Sequence, residues 1–307
     1  MTMTATSTPL LTPSQLDTFD RLLAIGAERP VAPAGLVEEL REKIAAGTAD
    51  AVSRWTERSL WLGKSQLTQA LRCEGQILAE SSTPRTRGLH PATAVGIVSH
   101  RAVQMASTHP GAPPLHYVEQ GIAAALGEDG FREFWINASL AEQSDLTMQM
   151  VSRTTAFLDS WPPLDPAWAW RFEESCQAKI GGLTLGARMD LVLGRPRPDG
   201  RQTMLLCDLK TGSLSEHHEI EADFYALVAT LRYGVPPFRS TVYSLASGTW
   251  TDPDVGAMRL HRVADQVVVA ANSIVDMLTS AREAELSGGI WCRWCPARET
   301  CPSASDA

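Results

Sequence analysis

The sequence predicts a mixed α/β fold, a sheet with helices on its faces preceded by a helical N-terminal segment. Three observations predict it. The first half carries apolar residues at helical spacing. Residues 167–193 then switch to strict alternation, broken by Gly181-Gly182, the period of two strands joined by a two-residue hairpin. Residues 203–209 form an almost wholly apolar run, as expected of a central strand covered on both sides.

The elements follow in order. Residues 1–13 read as a disordered leader, with Thr12-Pro13 marking a helix start. Helices are expected at 14–25, 35–46, 49–62, 65–80 and 92–107, and the period of 131–160 is mostly helical. Trp161-Pro162-Pro163 reads as a boundary or linker. In the strand 167–180, Trp168, Trp170, Phe172, Cys176, Ala178 and Ile180 share a face. Residues 183–193 return with Leu183, Leu185, Ala187, Met189, Leu191 and Leu193 on one face. After the third strand come a helix at 217–232, strands near 238–246 and at Thr249-Trp250, and a last helix over 256–285.

The 307 residues give ample chain for a core. A hydrophobic content of 44% with 20% charged residues is ordinary for a soluble globular protein. No apolar run is long enough to span a membrane. The N-terminus lacks the basic start and apolar stretch of a signal peptide, which sets the cytoplasm as the expected location. A net charge of -8 argues against coating nucleic acid through bulk electrostatics. Local basicity remains: Arg188, Arg195, Arg197, Arg201 and Lys210 sit near Asp190, Asp199 and Asp208. A solvated charged hairpin accounts for "GRPRPDGR" as well.

Chemistry concentrates in "GARMDLVLG" and "MLLCDLKTG". Lys210 lies two residues after Asp208 on a strand, so both point to one face. With Asp190 from the neighbouring strand, two carboxylates and an ammonium meet. Two carboxylates hold a hard divalent cation, and the ammonium steadies a water or a developing anion. That set suits metal-assisted cleavage of a phosphodiester. Glu174 falls on the apolar face of its strand, between Phe172 and Cys176, and needs a metal, an arginine or a strand end to be tolerated there.

These motifs resemble the PD-(D/E)XK nucleases, and within them the RecB-like branch. The match lies in "HRAVQMA" at His100, "GARMD" at Asp190, "DLKTG" from Asp208 and "EADFY" from Glu221 to Tyr225. The resemblance implies a restriction-endonuclease-like mixed β-sheet and Mg or Mn held by His100, Asp190 and Asp208. It implies Lys210 beside the attacking water, with Tyr225 on the following helix. Apart from the resemblance, Glu174 is expected as an outer ligand or base. Glu221 stands where the family usually has glutamine. It is either a further cation contact or an exposed helix charge. The resemblance covers about residues 65–305 and none of the first sixty. The domains expected are a helical N-terminal segment at 14–62 and a nuclease domain at 63–305, with a helical insert at about 108–165.

Six cysteines are present. Cys292, Cys295 and Cys301 have ligand spacing rather than disulfide spacing. Cys73 is the best candidate for a fourth thiolate, and Cys176 and Cys207 read as core. Four thiolates suit either zinc or an iron–sulfur cluster. The pattern resembles the iron–sulfur nucleases, the AddB nuclease domain and CRISPR-associated RecB-like exonucleases among them, which implies a 4Fe-4S cluster as a structural staple.

The function expected is a divalent-metal-dependent DNA nuclease acting on single strands or DNA ends, as an exonuclease, with any helicase supplied in trans. The alternative is a subunit of a repair, CRISPR or phage-defence complex that binds DNA ends or a partner without cleaving. Gly63-Lys64-Ser65 hints at a phosphate loop, but Arg58 stands where its first glycine belongs. Glu216, His217, His218 and Glu219 make a tempting metal cluster that reads better as a helix cap. Trp291 and Trp294 would shield a cluster or stack on bases.

Overall fold

The computed structural model describes residues 11–24, 26–56, 59–82, 88–215 and 217–305. Residues 1–10 of the expected leader lie outside them. Ten α-helices and five strands are present among the described residues, with helices on both faces of one mixed sheet. None of these helices is long and apolar enough to cross a membrane.

The chain enters at α1 (Pro13–Asp17), capped reciprocally by Thr12 and Gln15, and continues through a π-helical turn at Thr18–Leu23. Two helices expected at 35–46 and 49–62 are instead one, α2 (Leu36–Arg54). The residues after it form a strand, β1 (Leu60–Gly63), in which Leu60 and Leu62 are buried and Trp61 is exposed. Four residues are too few for periodicity to separate a strand from a helix end. The helix expected over 65–80 is two, α3 (Lys64–Arg72) and α4 (Glu74–Ser82). Cys73 breaks them apart with an extended backbone, φ -166 and ψ 104.

Next come α5 (Pro91–Thr108), α6 (Pro114–Ala125), α7 (Asp129–Asn137) and α8 (Leu140–Ser160). These four share an apolar cluster around Val98, Ala102, Val118, Phe131 and Met150. Trp161 is no exposed linker residue. It is 2% exposed, stacked on Phe157 and edge-on to Tyr243, a contact that joins α8 to the sheet.

The hairpin forms, but its first strand starts at Arg171 instead of 167, because Pro166–Trp168 make a 3-10 turn. Strand β2 (Arg171–Ile180) runs antiparallel to β3 (Leu183–Leu193), paired at every residue of β2 except Glu173. Gly181 turns between them at φ 57, the left-handed region open to glycine. Then follow β4 (Leu205–Lys210), α9 (His217–Tyr233), β5 (Arg239–Ser244) and α10 (Ala257–Leu278). The last helix stops seven residues short of the expected 285. Trp250 makes an isolated bridge to Tyr243 rather than a strand.

The topology creates a fork. One edge of β3 is occupied by β2. The other edge is shared: β1 pairs in parallel with residues 183–186, and β4 pairs antiparallel with residues 191–193. Residues 187–190 lie in the gap between them. Beyond β4, β5 pairs in parallel along 205–210. One face of the sheet packs against α2, α9 and α10 through residues such as Leu40, Leu185, Leu206, Phe224 and Val267. The other packs Leu22, Leu191, Leu205, Phe157 and Trp161 together. Each fully buried leucine contributes about 1.5–3 kcal/mol.

Alternation does not hold along the whole hairpin. Leu183, Leu185 and Met189 pack on the α9 side, while Leu191 and Leu193 pack on the α8 side. On β2, Cys176, Ala178 and Ile180 pack on the α9 side, while Phe172 packs on the other. The switch falls at Glu173, whose φ is 54, and at Asp190, the two positions that the ladder skips. A left-handed residue rotates the chain and resets the parity of the residues beyond it.

Candidate active site

Asp208 stands in the fork, 2% exposed on a strand that is otherwise apolar. A buried carboxylate needs partners, and it has two. Lys210 Nζ lies 2.8 Å from Oδ2 and Lys64 Nζ lies 2.9 Å from Oδ1. Both ammoniums also reach Glu221 Oε2, at 2.8 Å from Lys210 and 3.3 Å from Lys64. Two carboxylates and two ammoniums thus form a charge-balanced quartet. Lys64 Nζ lies 5.0 Å from the Tyr225 ring centroid, so the tyrosine face supports the same cation.

The quartet sets the protonation states. Burial pushes the Asp208 carboxyl up, but Lys64 and Lys210 outweigh it and hold it down at about 2. Burial works against the charged form of Lys64 and Lys210, but Asp208 and Glu221 raise both above the ordinary lysine value. Burial, with the charges of Asp208 and Asp190, pushes the Tyr225 hydroxyl far up, so it stays a hydrogen-bond donor.

Asp190 flanks the quartet across the fork. Its Oδ2 accepts the Leu209 backbone N–H at 2.6 Å, where the β3–β4 ladder has just ended. Its Oδ1 faces His100 Nδ1 at 3.5 Å. Burial lowers the His100 pKa, but Asp190 overrides it and leaves it raised. His100, Glu173 and Asp190 each present a ligand atom, all within 4.8 Å of one another. An imidazole and two carboxylates make a donor set that fits a hard or borderline divalent cation.

Of the expected residues, the fold gathers Asp190, Asp208, Lys210, Glu221, Tyr225 and His100 around the fork. Glu221 is not an exposed helix charge, since its carboxylate meets the Lys64 and Lys210 ammoniums. Glu174 lies elsewhere: Arg171 Nε is 3.5 Å from its Oε2, and Tyr233 donates to its Oε1 at 3.4 Å. Its neighbour Glu173, which strict alternation puts on the face opposite Glu174, groups with His100 and Asp190 instead, steadied by Arg188 Nε at 2.6 Å. The turn arginines Arg197 and Arg201 pair with Asp199 rather than with the fork. His218 Nδ1 accepts the Ser215 N–H at 2.9 Å, as a helix-start contact does. Glu216 and the His217 side chain lie outside the described residues.

Two site residues escaped the sequence. Lys64 belongs to Gly63-Lys64-Ser65, and only the parallel pairing of β1 with β3 brings it to the fork. Glu173 enters because its left-handed backbone breaks the alternation.

A second constellation lies where α3 meets α4. Cys73, Cys292, Cys295 and Cys301 line one cavity of about 350 Å³, beside Trp291 and Leu286. The Ser287 N–H points to Cys73 Sγ at 3.5 Å and the Gly289 N–H to Cys292 Sγ at 3.4 Å. Backbone hydrogen bonds from Ser305 and Gly289 lower the Cys292 thiol pKa, which favours a thiolate. The remaining two cysteines are core: Cys176 is 2% and Cys207 0% exposed, and burial raises both thiols, Cys176 to about 11. The C-terminal segment is also tied down by charge. Arg282 makes bidentate contacts of 2.7 and 2.6 Å to buried Glu74, next to Cys73.

Compared with known proteins, residues 64–302 match the family model described as the PD-(D/E)XK nuclease superfamily. No curated protein matches the chain.

Proposed function

Because this chain belongs to the PD-(D/E)XK nuclease superfamily, whose members are generally metal-dependent nucleases, we propose that it is a divalent-metal-dependent deoxyribonuclease of the RecB-like branch, acting as an exonuclease. The observation that carries this reading is the fork, in which Asp190, Asp208 and Lys210 meet with His100 and Glu173.

Mg or Mn would be held by Asp190, His100 and Glu173, with Asp208 alongside. When bound, the ion would neutralise charge on the phosphate and favour hydroxide over water. The protein residues do the rest. Lys210 keeps its proton, since its pKa is raised. It therefore acts as a donor that orients the attacking water and steadies the charge growing on phosphorus oxygens. Lys64 supplies a second fixed positive charge on the same carboxylate. Tyr225, also protonated, offers a hydroxyl donor at the wall of the fork. Asp190 is aimed by the Leu209 N–H, so its free oxygen is directed toward His100.

We further propose that the four cysteines hold a 4Fe-4S cluster. Two features support it. All four thiols border one cavity. The Cys292 thiol is lowered toward the thiolate by backbone hydrogen bonds from Ser305 and Gly289, the form that ligates iron. Such a cluster would close a very long loop and stiffen the fold. Residues 63–305 as the nuclease domain, with 108–165 as its insert, a cytoplasmic location and a helicase acting in trans complete the reading.

The test is cleavage of end-labelled single- and double-stranded DNA by anaerobically purified protein, comparing Mg, Mn and EDTA. Metal-dependent shortening from an end supports an exonuclease. Binding without cutting by cluster-loaded protein would favour the non-cleaving subunit.

A further inference from the structure

A groove of about 830 Å³ opens from the fork along β1 and the start of α3. Lys64 and Tyr225 form its inner end, and Trp61, Gly186 and Arg188 form the wall beyond. The volume is at the upper end of ligand pockets, and the lining is mixed rather than apolar.

Trp61 is the unusual residue in this wall. Its neighbours Leu60 and Leu62 are 3% and 1% exposed, while Trp61 is 45% exposed. The side chain is nonetheless seated. A Cβ on Gly186 would stand 2.0 Å from Trp61 Cζ2 and 2.4 Å from Cη2, and one on Gly63 would stand 3.5 Å from Nε1. Gly63 and Gly186 are ladder partners. The indole therefore rests on a bed of two side-chain-free residues, one side against backbone and the other facing the groove. A tryptophan held by two χ angles against backbone loses little freedom when something stacks on it.

We propose that Trp61 is a base-stacking residue, on which one nucleobase of an unpaired strand rests while the backbone passes Arg188 and Lys64 into the fork. The proposal rests on the nuclease reading and adds a subsite to it. Three residues of extended chain separate Trp61 from Lys64, about 10 Å, so the stacked base belongs to a nucleotide close to the phosphate in the fork. A base inside a duplex already has both faces covered, whereas a base in a single strand exposes a face to an aromatic ring. The exposed guanidinium of Arg188 and the ammonium of Lys64 give the backbone cationic contacts on the way. Gly186 acts as a positioning residue, since any side chain there would lift the indole.

The experiment is fluorescence anisotropy of labelled eight-residue strands in EDTA, with full-length protein. The probes are oligothymidylate, the same backbone without bases, and a blunt duplex. Trp61→Ala is expected to weaken oligothymidylate binding about tenfold, with Trp61→Phe close to wild type. Neither change should affect the base-free strand. Unchanged oligothymidylate affinity in Trp61→Ala, or an equal loss on the base-free strand, would overturn the proposal. Unaltered thermal unfolding of Trp61→Phe guards against misfolding. Cleavage in Mg is scored separately. Stacking without cutting would spare the subsite and sink the nuclease reading, and cutting with an indifferent Trp61 would do the reverse.

Discussion

Lys64 Nζ lies 2.9 Å from Asp208 Oδ1, on the opposite oxygen from Lys210. The contact joins the first residue of α3 to the centre of the sheet, and it also explains how a glutamate is tolerated at position 221. With two ammoniums present, two carboxylates leave the buried quartet neutral.

Lys64→Met removes one charge and keeps the shape. Asp208 and Glu221 would then share Lys210 alone. A buried charged group that loses one of two partners costs about 1–3 kcal/mol. Urea unfolding at neutral pH should show a loss of that size, and Lys64→Met/Glu221→Gln should recover part of it. No change in the single variant would contradict the quartet.

The two adjacent glutamates should separate cleanly. Glu173→Gln is expected to weaken Mn binding about tenfold, within the range set by altered metal-site partners. Glu174→Gln should leave it unchanged, since Glu174 meets Arg171 and Tyr233. Calorimetric titration of both variants decides it. Equal effects, or a larger one at Glu174, would show that the parity switch at Glu173 is misassigned.

His100 should titrate above its ordinary value in metal-free protein. Burial opposes its charged form, but Asp190 outweighs burial. A raised folded pKa means that the stabilisation is complete below the unfolded value of about 6.5 and is lost as pH rises through the folded value. NMR titration of the imidazole should show the upward shift, and Asp190→Asn should abolish it. A His100 pKa at or below about 6.5 in wild type would contradict the pairing.

Each of Cys73→Ser, Cys292→Ser, Cys295→Ser and Cys301→Ser should lower iron and sulfide content of anaerobically purified protein. Cys176→Ala and Cys207→Ala should not, because those thiols are core and burial keeps them protonated. Stoichiometric zinc with no sulfide in wild type would replace the cluster by a zinc site.

The parts legible in the sequence are those set by local spacing. Asp208 and Lys210 are two apart on a strand, so their shared face follows from the pleat. Gly181-Gly182 fixes the hairpin, and Cys292, Cys295 and Cys301 sit in one short segment. What was not legible depends on distant partners. The strand β1 has four residues and becomes a strand only by pairing with residues 183–186, so Lys64 could not be placed beside Asp208. Glu173 enters the site through a left-handed backbone that no propensity foretells. Cys73 leaves the line of its helix because α3 and α4 break there, where the pattern reads as continuous.

The most direct test of the central claim is cleavage of end-labelled DNA in Mg by Lys210→Ala, measured beside wild type in protein matched for urea stability and Mn affinity. The account predicts that wild type cuts, that EDTA stops it, and that Lys210→Ala loses at least a hundredfold, in the range set by removing one preorganised donor. Wild-type rates in the variant, or cutting by wild type in EDTA, would contradict it.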